Sequence, residues 1–269
     1  MRIKKMLIIA LSILSAASIV GVLPSCGKQK EPEKDNGPKY IAHRGYSQNY
    51  VDNSEAAFCA AASMGFWGIE TDIRMTKDGY FVCTHDDTVK YADGTEKKIA
   101  NTKRDALLEK PVKNDKTNDD VYLCTFEAYL RACKGGDKVA VIELKDYFGD
   151  EDIEKILTII DEEYDRKKVA FISFLYAPLL SVQEADSSIE LQYLSQKEDD
   201  PNFERCLRNG IHIDVRHDVY KSLLTEELVE TFHDAGLKVN VWTVNEGTYL
   251  EIALNYGVDY ITTDLFSGD

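Results

Sequence analysis

The stretch GIETDIRMTKDGYFVCTHD, residues 68–86, decides the fold. Its opening, GIETDIR, reads as a strand with Ile69 and Ile73 on one side and Glu70 and Asp72 on the other, because strand side chains alternate at period two. Residues 81–85 form a second apolar, strand-like run. Only MTKDGY separates the two, and a link that short cannot cross over to a parallel neighbour. Asp78-Gly79 is a hairpin signal. Residues 81–85 are therefore an antiparallel arm folded back on the first run, and they do not count among the staves of a parallel sheet.

Outward from this stretch, apolar strand-like runs alternate with helical patterns. The predicted strands are 40–43, 68–73, 139–144, 169–174, 191–194, 211–215, 239–243 and 260–263. The predicted helices are 53–64, 125–134, 151–163, 177–185, 225–235 and 247–256. Alternation of this kind implies βα units and a parallel sheet. Eight strands over residues 39–269 give a TIM-type (β/α)8 barrel of ordinary length, with the arm above its mouth. Residues 87–124, polar and lysine-rich, form a small insertion after the arm.

The strand phase puts chemistry at one end of that barrel. In VIELK, Ile142 and Leu144 face the helices while Glu143 and Lys145 face inward. In VNVWTVN, Val239 and Val241 face out while Asn240 and Trp242 face in. His43-Arg44-Gly45 closes the first strand and His85-Asp86 closes the arm. Active sites of such barrels lie at the C-terminal strand ends, where these groups fall.

Glu70, Asp72 and Glu143 form an all-oxygen set, which suits Mg²⁺ or Ca²⁺ better than zinc. The alternative is a buried ion-pair network with Arg44 and Lys145. Three carboxylates against two cations leave an excess negative charge that a divalent ion resolves. His43 and His85 are the candidate acid–base pair, since histidine titrates near neutral pH. Arg44 matches phosphate oxygens through paired N–H donors, and Gly45 permits a sharp turn beside it. Lys145 either binds phosphate or balances Glu143. Trp242 either walls the substrate or fills the barrel. His212 and Asp214 share the inward face of their strand, while His217 in a loop and His233 on a helix are expected at the surface.

The chain opens with Arg2, Lys4 and Lys5, an apolar run from Met6 to Leu23, and then Pro24-Ser25-Cys26. A small residue directly before cysteine, where the apolar run stops, reads as a bacterial lipoprotein signal over 1–25 with Cys26 lipidated and membrane-anchored; the alternatives are an ordinary secretory signal or a membrane anchor, since the run is just long enough to span. Such a protein is exported and faces the periplasm or the cell exterior. Residues 26–38 then serve as a flexible tether, since GKQKEPEKDNGP has no apolar side chain beyond proline to bury. The net charge of −15 argues against a nucleic-acid partner and requires local positive charge for any anionic substrate. Cys59, Cys83, Cys124, Cys133 and Cys206 show no disulfide or zinc spacing, and Cys59 is expected as a small buried hydrophobe.

AHRG at 42–45, DNSEAAFCAAASMG, the 68–86 stretch, VIELK, FISF, VWTVN and GVDYITTD at 257–264 together resemble the glycerophosphodiester phosphodiesterase family. The resemblance spans nearly all of residues 39–269. It implies a TIM-type barrel that cleaves small-molecule glycerophosphodiesters to glycerol 3-phosphate and an alcohol, through attack by the substrate's neighbouring hydroxyl and a cyclic phosphate. It also implies His43 and His85 as general base and acid, one divalent cation on Glu70, Asp72 and Glu143, and phosphate on Arg44 and Lys145. Where the family has Pro-Glu-Asn-Thr this chain has Val51-Asp52-Asn53-Ser54, so its helix is capped by Asn53 or Ser54 and the contact of Asp52 is open. Other readings on the same fold are a phospholipase or sphingomyelinase-type enzyme, which the polar insertion disfavours, and a phosphodiester-binding lipoprotein without turnover.

Overall fold

The computed structural model describes residues 37–265. The expected signal segment 1–25, Cys26 and the tether up to residue 36 lie outside them. Eight strands form the barrel: β1 (Lys39–Ala42), β2 (Gly68–Met75), β3 (Val139–Leu144), β4 (Val169–Ser173), β5 (Glu190–Ser195), β6 (His212–Arg216), β7 (Val239–Trp242) and β8 (Tyr260–Thr263). Each pairs in parallel with the next, and β8 returns to β1 with Lys39 opposite Tyr260 and Ala42 opposite Thr263. The sheet is a closed eight-stranded parallel barrel. The crossovers carry α1 (Glu55–Ala62), α2 (Phe126–Gly136), α3 (Asp150–Glu163), α4 (Tyr176–Ala185), α5 (Asn202–Asn209), α6 (Glu226–Asp234) and α7 (Gly247–Tyr256). The sequence reading lacks α5, because NFERCLRN has only Phe203, Cys206 and Leu207 to mark an apolar face.

The period-two reading of the strands separates two apolar layers. Ile69, Ile73, Ile142, Leu144, Val239 and Val241 pack outward among helix residues such as Phe58, Leu130 and Ile156. Ile41, Val141, Ile172, Leu194 and Tyr260 fill the barrel interior, with Phe174 and Trp242 packed against them. Polar side chains also enter the interior. Asn240 Nδ2 donates to Gln192 Oε1 at 3.0 Å and to Asp214 Oδ2 at 3.1 Å, while Asp214 Oδ1 is buried without a hydrogen bond.

The arm is as expected: Phe81–Cys83 pairs antiparallel with residues 73–75 of β2, and Cys124–Thr125 pairs antiparallel with the arm in turn. The insertion differs from its polar reading. It holds a hairpin, Thr88–Lys90 with Glu96–Lys98, and a short helix, Arg104–Leu108, around a small core of Val82, Val89, Tyr91, Ile99 and Leu107. Two further expectations fail. Cys59 is exposed, on the outer side of α1. His217 is buried, because its ring nitrogens find Ser222 Oγ at 2.6 Å and the Tyr249 carbonyl at 2.9 Å within the fold. His233 is exposed as expected, 2.9 Å from Asp259.

Candidate active site

The site begins at the end of β1, where the chain reverses sharply. Arg44 has φ 57° and Gly45 φ 79°, both left-handed. A β-carbon on Gly45 would stand 2.7 Å from the Ala57 backbone, so only glycine fits between this turn and α1. The turn aims the Arg44 N–H at Glu70 Oε2, 2.7 Å away. Asn53, also left-handed at φ 57°, closes the loop by donating its N–H to the Arg44 carbonyl at 3.0 Å. Asparagine tolerates this conformation better than most residues.

Asn53 does not cap α1; Ser54 does, accepting from the Ala57 N–H at 3.1 Å. Asn53 instead turns inward and is buried. Its Nδ2 donates to Asp72 Oδ2 at 2.8 Å, and its Oδ1 accepts from Thr71 Oγ1 at 2.8 Å. The sequence suggests only a cap at Asn53, whereas its side chain fixes a carboxylate.

Glu70 and Asp72 on β2 and Glu143 on β3 are neighbours because Asp72 stands opposite Glu143 in the sheet register. Their oxygens lie within 4.8 Å of one another, and all three residues are buried. Lys145 Nζ is 2.9 Å from Glu143 Oε1 and 3.3 Å from Asp72 Oδ1. Arg44 Nε is 3.3 Å from Asp72 Oδ2. Neither 3.3 Å contact has hydrogen-bond alignment, so Asp72 Oδ1 and Arg44 Nε are buried without a hydrogen bond.

The charges divide accordingly. Burial, then the neighbouring Asp72 and Glu143, push the Glu70 carboxyl well above its ordinary value. Burial and Asp72 raise Glu143 to about 7. Burial would raise Asp72 as well, but Arg44 and then Lys145 hold it below the usual carboxylate range. The cluster therefore has more carboxylate than its two cations neutralise. An all-oxygen set with an orphaned carboxylate oxygen fits a hard divalent cation.

The two histidines flank this cluster. His43 Nδ1 lies 2.7 Å from Asp264 Oδ1, which also accepts from Ser47 Oγ at 2.8 Å, while Asp264 Oδ2 accepts from Asn245 Nδ2 at 2.6 Å. These bonds, His43 foremost, outweigh burial and hold the Asp264 carboxyl well below its ordinary value. An ionised Asp264 accepts a hydrogen bond from His43 Nδ1–H, which fixes the proton there and leaves Nε2 as the acceptor. The sequence reading missed Asp264; the only signal was a carboxylate directly after the last strand, which a closed barrel sets beside the first.

His85, beyond the end of the arm, has Nδ1 3.0 Å from Asp86 Oδ1. Burial, then Arg44 and Lys145, hold its imidazole below the ordinary value. Its main chain is clamped: Arg74 donates Nε and Nη2 to the His85 carbonyl at 3.0 and 2.8 Å, and Nη1 to Asp146 Oδ1 at 2.6 Å. Asp52, the departure from the family pattern, lies 3.4 Å from Arg44 Nη1 and 2.8 Å from Lys116 Nζ, so it ties the insertion to the turn. Trp242 is half-buried, edge-to-face with Phe174 at 5.5 Å, on the boundary of the inner layer. His212 is drawn to the opposite strand end, where its Nδ1 accepts from the Lys238 N–H at 3.1 Å.

Comparison with known proteins agrees with this architecture. The profile of the glycerophosphoryl diester phosphodiesterase family matches residues 43–266. A glycerophosphodiester phosphodiesterase of Caldanaerobacter subterraneus subsp. tengcongensis is 30% identical over 230 residues, covering 83% of this chain and 93% of the relative. Among solved structures, an Oleispira antarctica phosphodiesterase in complex with the product sn-glycerol-3-phosphate superposes with a TM-score of 0.75 at 22% identity, over 85% of this chain and 93% of that one. A glycerophosphodiester phosphodiesterase from Parabacteroides distasonis gives 0.68 at 24% identity, over 85% and 93%.

Proposed function

The chain belongs to the glycerophosphoryl diester phosphodiesterase family, and from that membership we propose that it hydrolyses glycerophosphodiesters to glycerol 3-phosphate and an alcohol, with His43 as base and His85 as acid. The observation that carries this reading is one barrel mouth holding three buried carboxylates within 4.8 Å, two cations and two flanking histidines. Glu70, Asp72 and Glu143 would hold a divalent cation. When bound, that cation supplies charge stabilisation at the phosphoryl oxygens.

The residues of the chain do the rest. Arg44 and Lys145 hold the phosphate. His43, with Nδ1–H fixed on Asp264, accepts at Nε2 the proton of the substrate's neighbouring hydroxyl as that oxygen attacks phosphorus. His85 gives a proton to the departing alcohol oxygen. A cyclic phosphate results, and water opens it with the two histidines in reversed roles. Arg44 and Lys145 help keep His85 neutral, and an arriving phosphate offsets their charge. Substrate binding thus favours the protonated His85 that the first step needs. Trp242, beside Phe174, walls the glycerol half.

The test is release of glycerol 3-phosphate from soluble glycerophosphodiesters by the purified full chain, with Mg²⁺, with Ca²⁺ and with chelator. Product is expected only with a cation, and His43→Ala and His85→Ala should each abolish it. Undiminished product in chelator would remove the cation from the mechanism, and near-normal turnover in either variant would remove that histidine.

We also propose that the enzyme is an exported lipoprotein anchored through Cys26, on the basic start, apolar run and cysteine of residues 1–26. Labelled fatty acid should be incorporated into the wild-type protein and not into Cys26→Ser; equal labelling of that variant would exclude lipidation there.

A further inference from the structure

Between the insertion and the barrel mouth lies a cavity of about 280 Å³. Arg44, Asn53 and His85 line one side of it. The insertion supplies the other: an apolar wall of Val89, Val112, Val121 and Leu123, together with Tyr122, Lys90 and Lys113.

The cations of the insertion are not equivalent. Lys97, Lys98, Lys110 and Lys116 pair with Glu109, Asp87, Asp93 and Asp52. Lys90 and Lys113, which line the cavity, form no side-chain ion pair or hydrogen bond with any described residue. They are held side by side, since the Lys113 N–H donates to the Lys90 carbonyl at 2.8 Å. Of the two carboxylates on the cavity, Asp52 is offset by Lys116 and Arg44, whereas Asp86 meets only the imidazole of His85, so a single carboxylate charge stands against Lys90 and Lys113. The charge left uncommitted there is positive, in a chain whose net charge is −15. A local excess of this sign attracts anions.

Which part of a diester enters this cavity follows from His85, and here the inference rests on the reading of His85 as the acid. The donated proton goes to the leaving oxygen, so the leaving alcohol lies on the side of His85. The volume falls just under the roughly 300–1,000 Å³ of sites for drug-sized ligands, which suits a small head group. Quaternary ammonium groups are recognised by cages of aromatic faces, and Tyr122 is the one aromatic side chain among the lining residues.

We propose that this cavity binds the leaving alcohol and favours one bearing an anionic group, carboxylate or phosphate, over one ending in quaternary ammonium. The experiment compares kcat/KM of the full chain for 1,3-bis(glycerophospho)glycerol, glycerophosphoserine and glycerophosphocholine. The first probes a phosphate and the second a carboxylate. The ratio of the favoured anionic diester to glycerophosphocholine should exceed one and fall as salt is raised. Lys90→Gln with Lys113→Gln should lower that ratio about tenfold, the size expected for two partly solvated charge pairs. Lys90→Arg with Lys113→Arg should keep it. A ratio below one in the wild type, or a double glutamine variant that lowers all three substrates equally, would overturn the subsite while leaving the hydrolase reading in place. No product from any of the three would overturn both.

Discussion

In the proposed mechanism His43 can act as base in only one tautomer, and Asp264 selects it. The Nδ1 proton is committed to Asp264 Oδ1 at 2.7 Å, and Ser47 and Asn245 hold that carboxylate in place. Asp264→Asn keeps the size but removes the charge that fixes the proton on Nδ1. The expected result is a loss of about a hundredfold or more in kcat with KM little changed, as when the partner that orients a catalytic histidine is lost. An unchanged kcat would show that His43 needs no such partner. Asp264 was hard to read from sequence because it lies 221 residues from His43, and only barrel closure makes them neighbours. His43, Glu70, Asp72, His85, Glu143 and Lys145 were legible because strand phase and strand ends place them. Asn53 was not, since its left-handed backbone, rather than its residue type, turns it away from capping and toward Asp72.

At the scale of elements, the arm holds His85 by its main chain. The arm's last backbone bond to β2 runs from the Thr84 N–H to the Asp72 carbonyl at 2.8 Å, so His85 and Asp86 need another anchor. Arg74 on β2 supplies it through two N–H donors on the His85 carbonyl, and Asp146 fixes the same guanidinium while accepting from the Met75 N–H at 3.1 Å. Arg74→Ala should lower kcat about ten- to a hundredfold by loosening His85, since small misplacement of a reacting group is costly. Arg74→Lys should recover only part, because one ammonium nitrogen lacks the planar fork that spans both the His85 carbonyl and Asp146. Normal kcat in Arg74→Ala would show that the arm holds His85 without it. The arm itself was legible, because the MTKDGY link forbids a crossover. The small core of the insertion was not: Val89, Tyr91, Ile99 and Leu107 are scattered among lysines and acids, and they meet only once the hairpin folds.

For the whole molecule, the carboxylate cluster sets how stability responds to pH. A glutamate free in an unfolded chain titrates near 4.3, whereas burial and Asp72 raise Glu143 in the folded protein to about 7. Between those values the folded state keeps a proton that the unfolded state has released. Glu143 therefore contributes stability at low pH that is lost as pH rises through this window, and Glu70, raised in the same direction, adds to the loss. Asp72 and Asp264 act oppositely: both are depressed, so their contribution is present above about pH 3.9 and lost only in stronger acid. Without a cation, stability should thus peak near pH 5 and decline toward neutrality. The net charge of −15 adds a repulsive part to that decline, which salt screens. A divalent cation competes with the protons of the cluster, so it should bind more tightly at higher pH and release protons as it binds. In chelator, Tm should fall between pH 5 and 7.5 even in salt, and Glu143→Gln should flatten part of that fall. Added Mg²⁺ or Ca²⁺ should raise Tm more at pH 7.5 than at pH 5, and calorimetry at pH 6 in two buffers of different ionisation heat should record released protons. An equal rise at both pH values with no proton released would take the cation off these carboxylates and leave Arg44 and Lys145 as their only counter-charges.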